Sequence, residues 1–482
     1  MPVLRHARRS LALTAAGLVA SGASFPARAA AEGAPHLDGA TLGLAWLIPF
    51  VGILLSIALL PLVRPQFWHH HFGKVAAFWG LAFLLPFAAF RGLDLALYEV
   101  LAVALTEYLP FIILLAALFV VAGGVRLKGT LVGTPAVNLG ILLTGTIIAS
   151  WMGTTGACML LIRPLLRANE NRRFRVHTVV FFIFLAGNIG GALSPLGDPP
   201  LFLGFLQGVS FFWPTQHLFL PMLFCSAVLL ALYFAIDTVL FRREHRLREV
   251  PPEARVPFGL EGGINLLLLA GVIAAVLMSG VWRPGVELAV YHVPVALENL
   301  VRDLLLLAII GLSWGLTSRD SRRLNDFNWF PIVEVGKLFA AIFLTIVPAI
   351  AILRAGRDGA LAGLVDLVGG AGAPNNLAYF WLTGGLSSFL DNAPTYLVFF
   401  NMAGADPQHL MGEWAVTLGA ISAGAVFMGA NTYIGNAPNF MVRSIAQERG
   451  VAMPSFFGYM AWSCGILLPL FALVSLIFYA GA

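Results

Sequence analysis

Between Phe181-Phe182-Ile183-Phe184-Leu185 and Leu201-Phe202-Leu203 the chain reads Gly190-Gly191-Ala192-Leu193-Ser194-Pro195-Leu196-Gly197-Asp198-Pro199-Pro200. An uninterrupted apolar helix does not carry three glycines, three prolines and an aspartate at its centre. Adjacent prolines remove two backbone donors and their rings obstruct the preceding turn. The stretch therefore predicts a helix broken inside an apolar layer, with an acid at the break. Unwound backbone at that depth is tolerated only where it is buried in protein or lines a cavity. An ionisable side chain there is a functional-site hypothesis by default.

The break recurs. Moving 238 positions along, Ser194, Leu196, Gly197, Asp198 and Pro200 fall on Thr432, Ile434, Gly435, Asn436 and Pro438. The same offset carries Ser150-Trp151-Met152-Gly153-Thr154-Thr155-Gly156 onto Ser388-Phe389-Leu390-Asp391-Asn392-Ala393-Pro394. Two polar, Gly/Pro-marked interruptions with one common spacing point to an internal repeat, and such paired interruptions mark binding sites in transporters.

With 59% hydrophobic and 11% charged residues, the chain lies far from the roughly one-quarter charged composition of soluble domains. Apolar runs near membrane-spanning length recur throughout, which predicts an all-α polytopic membrane protein. The net charge of +5 sits in short loops and suggests no nucleic-acid partner; the lipid bilayer and a small ion are the expected ones. Residues 1–31 resemble a secretory leader, with Arg5, Arg8 and Arg9 before a short apolar core and Ala27-Arg28-Ala29 as a cleavage-like site. A first repeat is expected over 41–241, a basic cytoplasmic linker over 242–261 and a second repeat over 262–482. In the first repeat, helices are expected at 41–62, 75–90 and 106–122. A re-entrant hairpin follows over 135–166, then the broken helix over 176–208 and a long helix over 213–241. The second repeat is expected to follow suit at 264–281, 302–316 and 335–353, with a hairpin over 376–402, a broken helix over 415–445 and a last helix over 456–479.

Five spans plus one hairpin per half make the second half enter from the opposite face, so the repeat is inverted. With the mature N-terminus outside, 20 of the 29 Lys and Arg fall on the cytoplasmic side and five outside, the other four lying in the leader. That bias follows the positive-inside rule. Both termini of the mature chain are then periplasmic, the first hairpin opens from the cytoplasm, the second from outside, and both tips meet the two breaks near the midplane.

The expected centre holds Asp198 and Asp391 with Asn392, Asn431, Asn436, Ser194, Thr154, Thr155, Thr395 and Thr432, and neither tip nor break carries Lys or Arg. Oxygen-rich sites with carboxylates suit hard cations such as Na⁺ or H⁺. Two partly desolvated carboxylates can exchange a proton for Na⁺ by competition for one site. An aspartate at a break also serves simply as an N-cap. Asn188 is either a packing residue or a member of the site. His69-His70-His71 is expected in a short loop, and Glu99, Glu107 and Glu334 at solvated or interfacial positions. Cys158, Cys225 and Cys464 lie in apolar segments without metal-ligand spacing and are expected to be buried. No nucleotide loop, zinc motif or nucleophilic triad is present in the sequence, so neither a cofactor, a resident metal nor an enzyme is expected; Na⁺ at Asp198 and Asp391 would be cargo.

Gly187-Asn188-Ile189-Gly190-Gly191-Ala192-Leu193-Ser194-Pro195-Leu196-Gly197-Asp198 resembles the signature of NhaD-type sodium:proton antiporters, and Leu390-Asp391-Asn392-Ala393-Pro394-Thr395 is similar to their second element. Both belong to the wider ion-transporter superfamily, which includes citrate–metal symporters (CitMHS-like proteins), arsenite permeases and dicarboxylate transporters. The resemblance covers essentially the whole membrane part of the chain. It implies an inverted-repeat fold, a scaffold and a mobile transport part, an elevator-like movement and a homodimer. By motif, it implies Ser194, Asp198, Asp391, Asn392, Thr395, Asn431, Thr432 and Asn436 as ion ligands. Pro199-Pro200 stands where the antiporter pattern often has Val-Thr-Thr, so hydroxyl ligands offered there in relatives are missing. The expectation is a Na⁺/H⁺ antiporter of the bacterial inner membrane, with a cation-coupled citrate or dicarboxylate carrier as the alternative. A channel would pass currents far above carrier turnover.

Overall fold

The computed structural model describes residues 35–244, 256–369 and 373–481. The expected leader and the middle of the expected linker, 245–255, lie outside the described residues. Among those described, nine helices are long and apolar enough to cross a membrane. The chain is an all-α multi-pass membrane protein, with sheet confined to two short ribbons.

In chain order, α1 (Ile48–Val63) and α2 (Pro65–Arg91) are followed by a span built of α3 (Leu93–Val103), a π turn (Ala104–Tyr108) and α4 (Leu109–Ala122). The strand β1 (Arg126–Lys128) leads to the arms α5 (Pro135–Met152) and α6 (Thr154–Ala168). The arms return to one end, where Asn138 and Asn169 exchange two side-chain hydrogen bonds of 2.9 and 2.7 Å. The first broken helix is α7 (Val176–Leu185) and α8 (Pro199–Leu206), and α9 (Trp213–Arg243) closes the half. The second half comprises β2 (Gly259–Glu261), α10 (Ile264–Val281), the ribbon β3 (Glu287–Val290) and β4 (Val293–Ala296), and α11 (Leu297–Leu316). A short α12 (Arg319–Leu324) precedes α13 (Phe330–Thr345) and α14 (Val347–Arg354), and α15 (Ala362–Leu367) leads to the second pair of arms, α16 (Asn376–Phe389) and α17 (Asn392–Met402). After α18 (Pro407–Met411), the second broken helix is α19 (Ala415–Met428) and α20 (Ala437–Glu448), and α21 (Phe456–Phe478) ends the chain.

Several expectations need correction. Pro65 sits at the start of α2, where its missing N–H costs nothing. His69-His70-His71 therefore lies in the first turns of a helix, not in a loop; Nδ1 of His70 is 2.8 Å from the Gln66 carbonyl, one turn back. The third span begins at Leu93, which places Glu99 and Glu107 inside it. The linker's end forms a strand: β2 pairs antiparallel with β1, held by Glu261 against Arg126 and Lys128. Cys158 and Cys225 are buried, whereas Cys464 is exposed on the outer surface of α21.

Two packing groups result. One joins α1, α2, α3–α4, α10, α11, α13 and α14; the other joins the hairpins, both broken helices and α9. They touch where α14 meets α17, where α4 meets α6, and where the π turn meets α8. Loops of both halves gather on one arginine-rich face, tied by Arg163–Asp326 at 3.3 Å and by Arg175 donating to the Gly450 carbonyl at 3.0 Å. On the opposite face the Tyr291 hydroxyl donates to Asp94 at 3.2 Å and Arg354 to Asn401 at 2.8 Å.

A buried network fixes the first hairpin. Arg172 contacts Asp237 at 2.7 Å and Glu244 at 2.6 Å. Asp237 also lies 3.1 Å from the Asn138 amide, 3.0 Å from His177 Nε2 and 3.0 Å from the Tyr233 hydroxyl. An ion pair taken out of water persists only when its remaining lone pairs and protons find partners, and here nearly all do.

Candidate functional site

The two breaks are built alike. Asp198 and Asn436 each stand just before a half-helix, in extended backbone with φ/ψ of −144/144 and −153/140. The Ser194 hydroxyl donates to the Ser150 carbonyl, and 238 positions on, the Thr432 hydroxyl donates to the Ser388 carbonyl at 2.5 Å. Each hydroxyl then accepts the amide two residues on, Leu196 at 3.1 Å and Ile434 at 3.2 Å. Ser150 reaches the Gly190 carbonyl at 2.5 Å, as Ser388 reaches that of Met428 at 3.1 Å. A Cβ at Gly197 would collide with the Gly191 carbonyl, so only glycine lets the two strands of the first break lie together.

Three donors meet on the buried carboxylate of Asp198. Its Oδ1 accepts from Thr154 Oγ1 at 3.0 Å and from Asn436 Nδ2 at 3.0 Å, and its Oδ2 accepts from Asn392 Nδ2 at 2.5 Å. Thr154 comes from the first tip, where Gly153 turns the chain with φ +80, and Asn392 from the matching position of the second. The four residues are two symmetry-matched pairs, 154 with 392 and 198 with 436. Although Asp198 occupies the N-cap position of α8, its side chain makes no capping bond. The carboxylate is thus free of the structural duty that most often explains such an aspartate.

A second ring of amides supports the centre. Asn188 accepts from Asn436 at 3.2 Å and donates to Asn439 Oδ1 at 2.7 Å. Asn439 donates to the carbonyls of Gly429 and Thr432, both at 2.8 Å. Asn188 therefore belongs to the centre's support. Asn439 was not among the expected residues, and its repeat partner is Leu201, so no repeat signal marks it. The Asn392 Oδ1 and Asn431 Oδ1 atoms are buried without a hydrogen-bond partner. They are acceptors that an added cation could use, because a buried amide oxygen costs about 1–3 kcal/mol when left unpaired.

The remaining expected residues divide. Ser194, Thr432 and Thr395 spend their hydroxyl protons on backbone carbonyls, the last on that of Asp391 at 3.0 Å. Thr155 lines the cavity beside Asp198. Asn431 donates to Ser388 Oγ at 2.9 Å. Asp391 does not join Asp198 in one ring. Its Oδ1 accepts from the Ala393 amide at 3.1 Å, so it caps α17. It lies in a neighbouring cavity of about 340 Å³ with Trp68, Glu334, Tyr433 and Asn436.

The Asp198 cavity, about 100 Å³, runs from the first tip to Pro331 and Ile332 at the start of α13. The Asp391 cavity reaches His69 and Phe330. Both thus lead toward the arginine-rich face. Sequence reasoning also missed a cation near the second cavity: the Arg443 guanidinium lies 4.5 Å from the ring centroid of Tyr433.

Residues 39–479 match the family model described as "Putative citrate transport". No individual curated protein matches the chain.

Proposed function

The chain belongs to that citrate-transport family, and from this premise we propose a secondary active transporter whose Asp198 centre alternately holds a proton and a small hard cation, with Na⁺/H⁺ exchange as the reaction. The observation that carries the proposal is the Asp198 carboxylate itself. It is buried, ringed by Thr154, Asn392 and Asn436, and relieved of capping. Oxygen-rich surroundings suit a hard cation. A carboxylate with no positive partner is stabilised either by a proton or by a bound cation, and competition between the two is sufficient for exchange.

The two packing groups and their limited seam support an elevator-like movement of hairpins and broken helices against the rest. The common hydrogen-bond pattern at a 238-residue offset supports an inverted repeat of the two halves. We place the protein in a bacterial inner membrane, with the arginine-rich face cytoplasmic and both termini of the mature chain periplasmic, following the positive-inside rule. A homodimer is the expected assembly; light scattering in detergent should give twice the chain mass, and a strictly monomeric mass would count against it.

A second reading is favoured by the family match and by Arg443. A cation-coupled citrate or dicarboxylate carrier would use the larger cavity beside Asp391, where Arg443 backs Tyr433. Proteoliposomes with an acidic interior and an internal pH dye separate the two. Alkalinisation on adding Na⁺ or Li⁺ alone is the expected result. Silence to every cation, with uptake of labelled citrate, would replace it by the second reading.

A further inference from the structure

On the face opposite the arginine-rich one lies a cavity of about 440 Å³ that the Asp198 centre does not use. Its titratable lining is Glu99, Glu107 and Tyr98 from the third span, Arg354 from the end of α14, and His36 and Asp38 from the segment before α1. Glu107 sits in the π turn of its span. Such turns insert a residue into the helix and recur at functional sites. Glu107 Oε1 accepts from Gln207 Nε2 at 3.3 Å, while Oε2 is buried without a hydrogen-bond partner.

The partners give this cavity its meaning. Gln207 ends α8, the half-helix that begins after Asp198. Arg354 donates at 2.8 Å to Asn401 on α17, the half-helix that begins after Asp391. Two side-chain bonds at one cavity thus tie one packing group to the far ends of both half-helices that start at the centre.

We propose that Glu107 is a second proton-carrying carboxyl of the transporter, loaded from water in this cavity, whose proton leaves Arg354 bound to Asn401 and so holds the far end of α17. The proposal rests on the proton-coupled reading above. With a proton on Oε2, Glu107 is neutral, and Oε1 still accepts from Gln207. When the proton passes to cavity water, both oxygens share a charge and one of them has no donor. A buried, unpaired carboxylate is costly, and it is relieved by water and by Arg354, the cation across the cavity. Drawing Arg354 toward Glu107 weakens its hold on Asn401. Deprotonation therefore loosens the tie of Arg354 to α17, while the bond from Gln207 to the now charged carboxylate strengthens.

The test follows accessibility, not transport. In the full-length protein with Cys464→Ser, an Ala102→Cys probe is placed in the cavity lining and its reaction with a charged maleimide is timed in detergent. The rate is divided by that of the same probe carrying Glu107→Gln, so that thiol ionisation cancels. The ratio is expected to rise by about threefold or more from about pH 5.5 to about pH 8.5, as the open form gains population. A ratio constant across that range would overturn the proposal. Asn401→Leu removes the acceptor from the Arg354 tie and should make labelling fast, with no dependence on pH beyond that of the thiol; a retained wild-type pH response in that variant would also overturn it. Running the series in Asp198→Asn keeps the readout independent of exchange, so a failed Na⁺/H⁺ assignment and a failed Glu107 proposal give different results.

Discussion

Asn436 donates to Asp198 at 3.0 Å, and each residue occupies the other's place in the repeat. One copy of the break carries an acid, and the other an amide that hydrogen-bonds to it. Asp198→Asn is accordingly expected to reduce Na⁺-driven proton movement to background while the protein still inserts. Asn436→Ala removes one donor to the ionised form. A hydrogen bond to a charged group contributes about 1.5–3 kcal/mol, so half-saturating Na⁺ should rise by about tenfold or more. Proteoliposome titrations with both variants check this, and near-normal exchange by Asp198→Asn would remove the mechanism.

Asp391 tests whether a conspicuous acid is there for its charge or for its geometry. Its side chain caps α17 through the Ala393 amide. Loss of a cap costs about 0.5–2 kcal/mol, and asparagine caps as well as aspartate. Asp391→Ala should therefore lower thermal stability, whereas Asp391→Asn should keep it and retain transport within a few-fold. Abolished exchange in a stable Asp391→Asn protein would assign the charge itself to the cycle.

The Arg172–Asp237 pair has no solvent-exposed side-chain surface on either partner. Removing one member of such a pair leaves a buried charge and costs about 3–5 kcal/mol. Asp237→Ala should show this as a large drop in melting temperature in detergent, with the first hairpin the earliest segment to exchange amide hydrogens. A neutral effect would mean that Glu244 alone satisfies Arg172.

At the ribbon joining the halves, hydrogen bonds from Arg126 and then Lys128 hold Glu261 below the ordinary glutamate range. A depressed acid contributes stability that is present above its unfolded pKa and lost as pH falls through its folded value. Wild type should therefore lose a small stability advantage over Glu261→Gln on acidification, and added salt should shrink that advantage at neutral pH. Parallel melting curves of the two proteins across the acid range, in low and high salt, provide the measurement.

The breaks were readable because glycine and proline have few other uses inside an apolar run, and because the same pattern occurs twice. That reasoning located Asp198, Asn436, Thr154 and Asn392, which do meet. It could not separate Asp198 from Asp391, since a carboxylate free of capping and a helix cap present the same residue before the same kind of half-helix. Asn439 escaped because its role is made by contacts with Asn188, 251 positions away, and with two carbonyls of the break. The third span was expected to start too late because Glu99 was expected at the polar edge of a membrane. Only the π turn and the packing of α13 beside it put Glu107 inside.

Among the four matched residues of the centre, Asp198 alone can ionise. The centre therefore responds to membrane voltage as a single charge. Carried across the whole bilayer, that charge would gain or lose about 2.3 kcal/mol per 100 mV. Loaded with a proton or a monovalent ion, the same centre is neutral and voltage does no work on it. On the proposed exchange the centre would cross only when loaded, with a proton one way and a monovalent ion the other, so that a one-for-one cycle would run on the two concentration gradients and not on voltage.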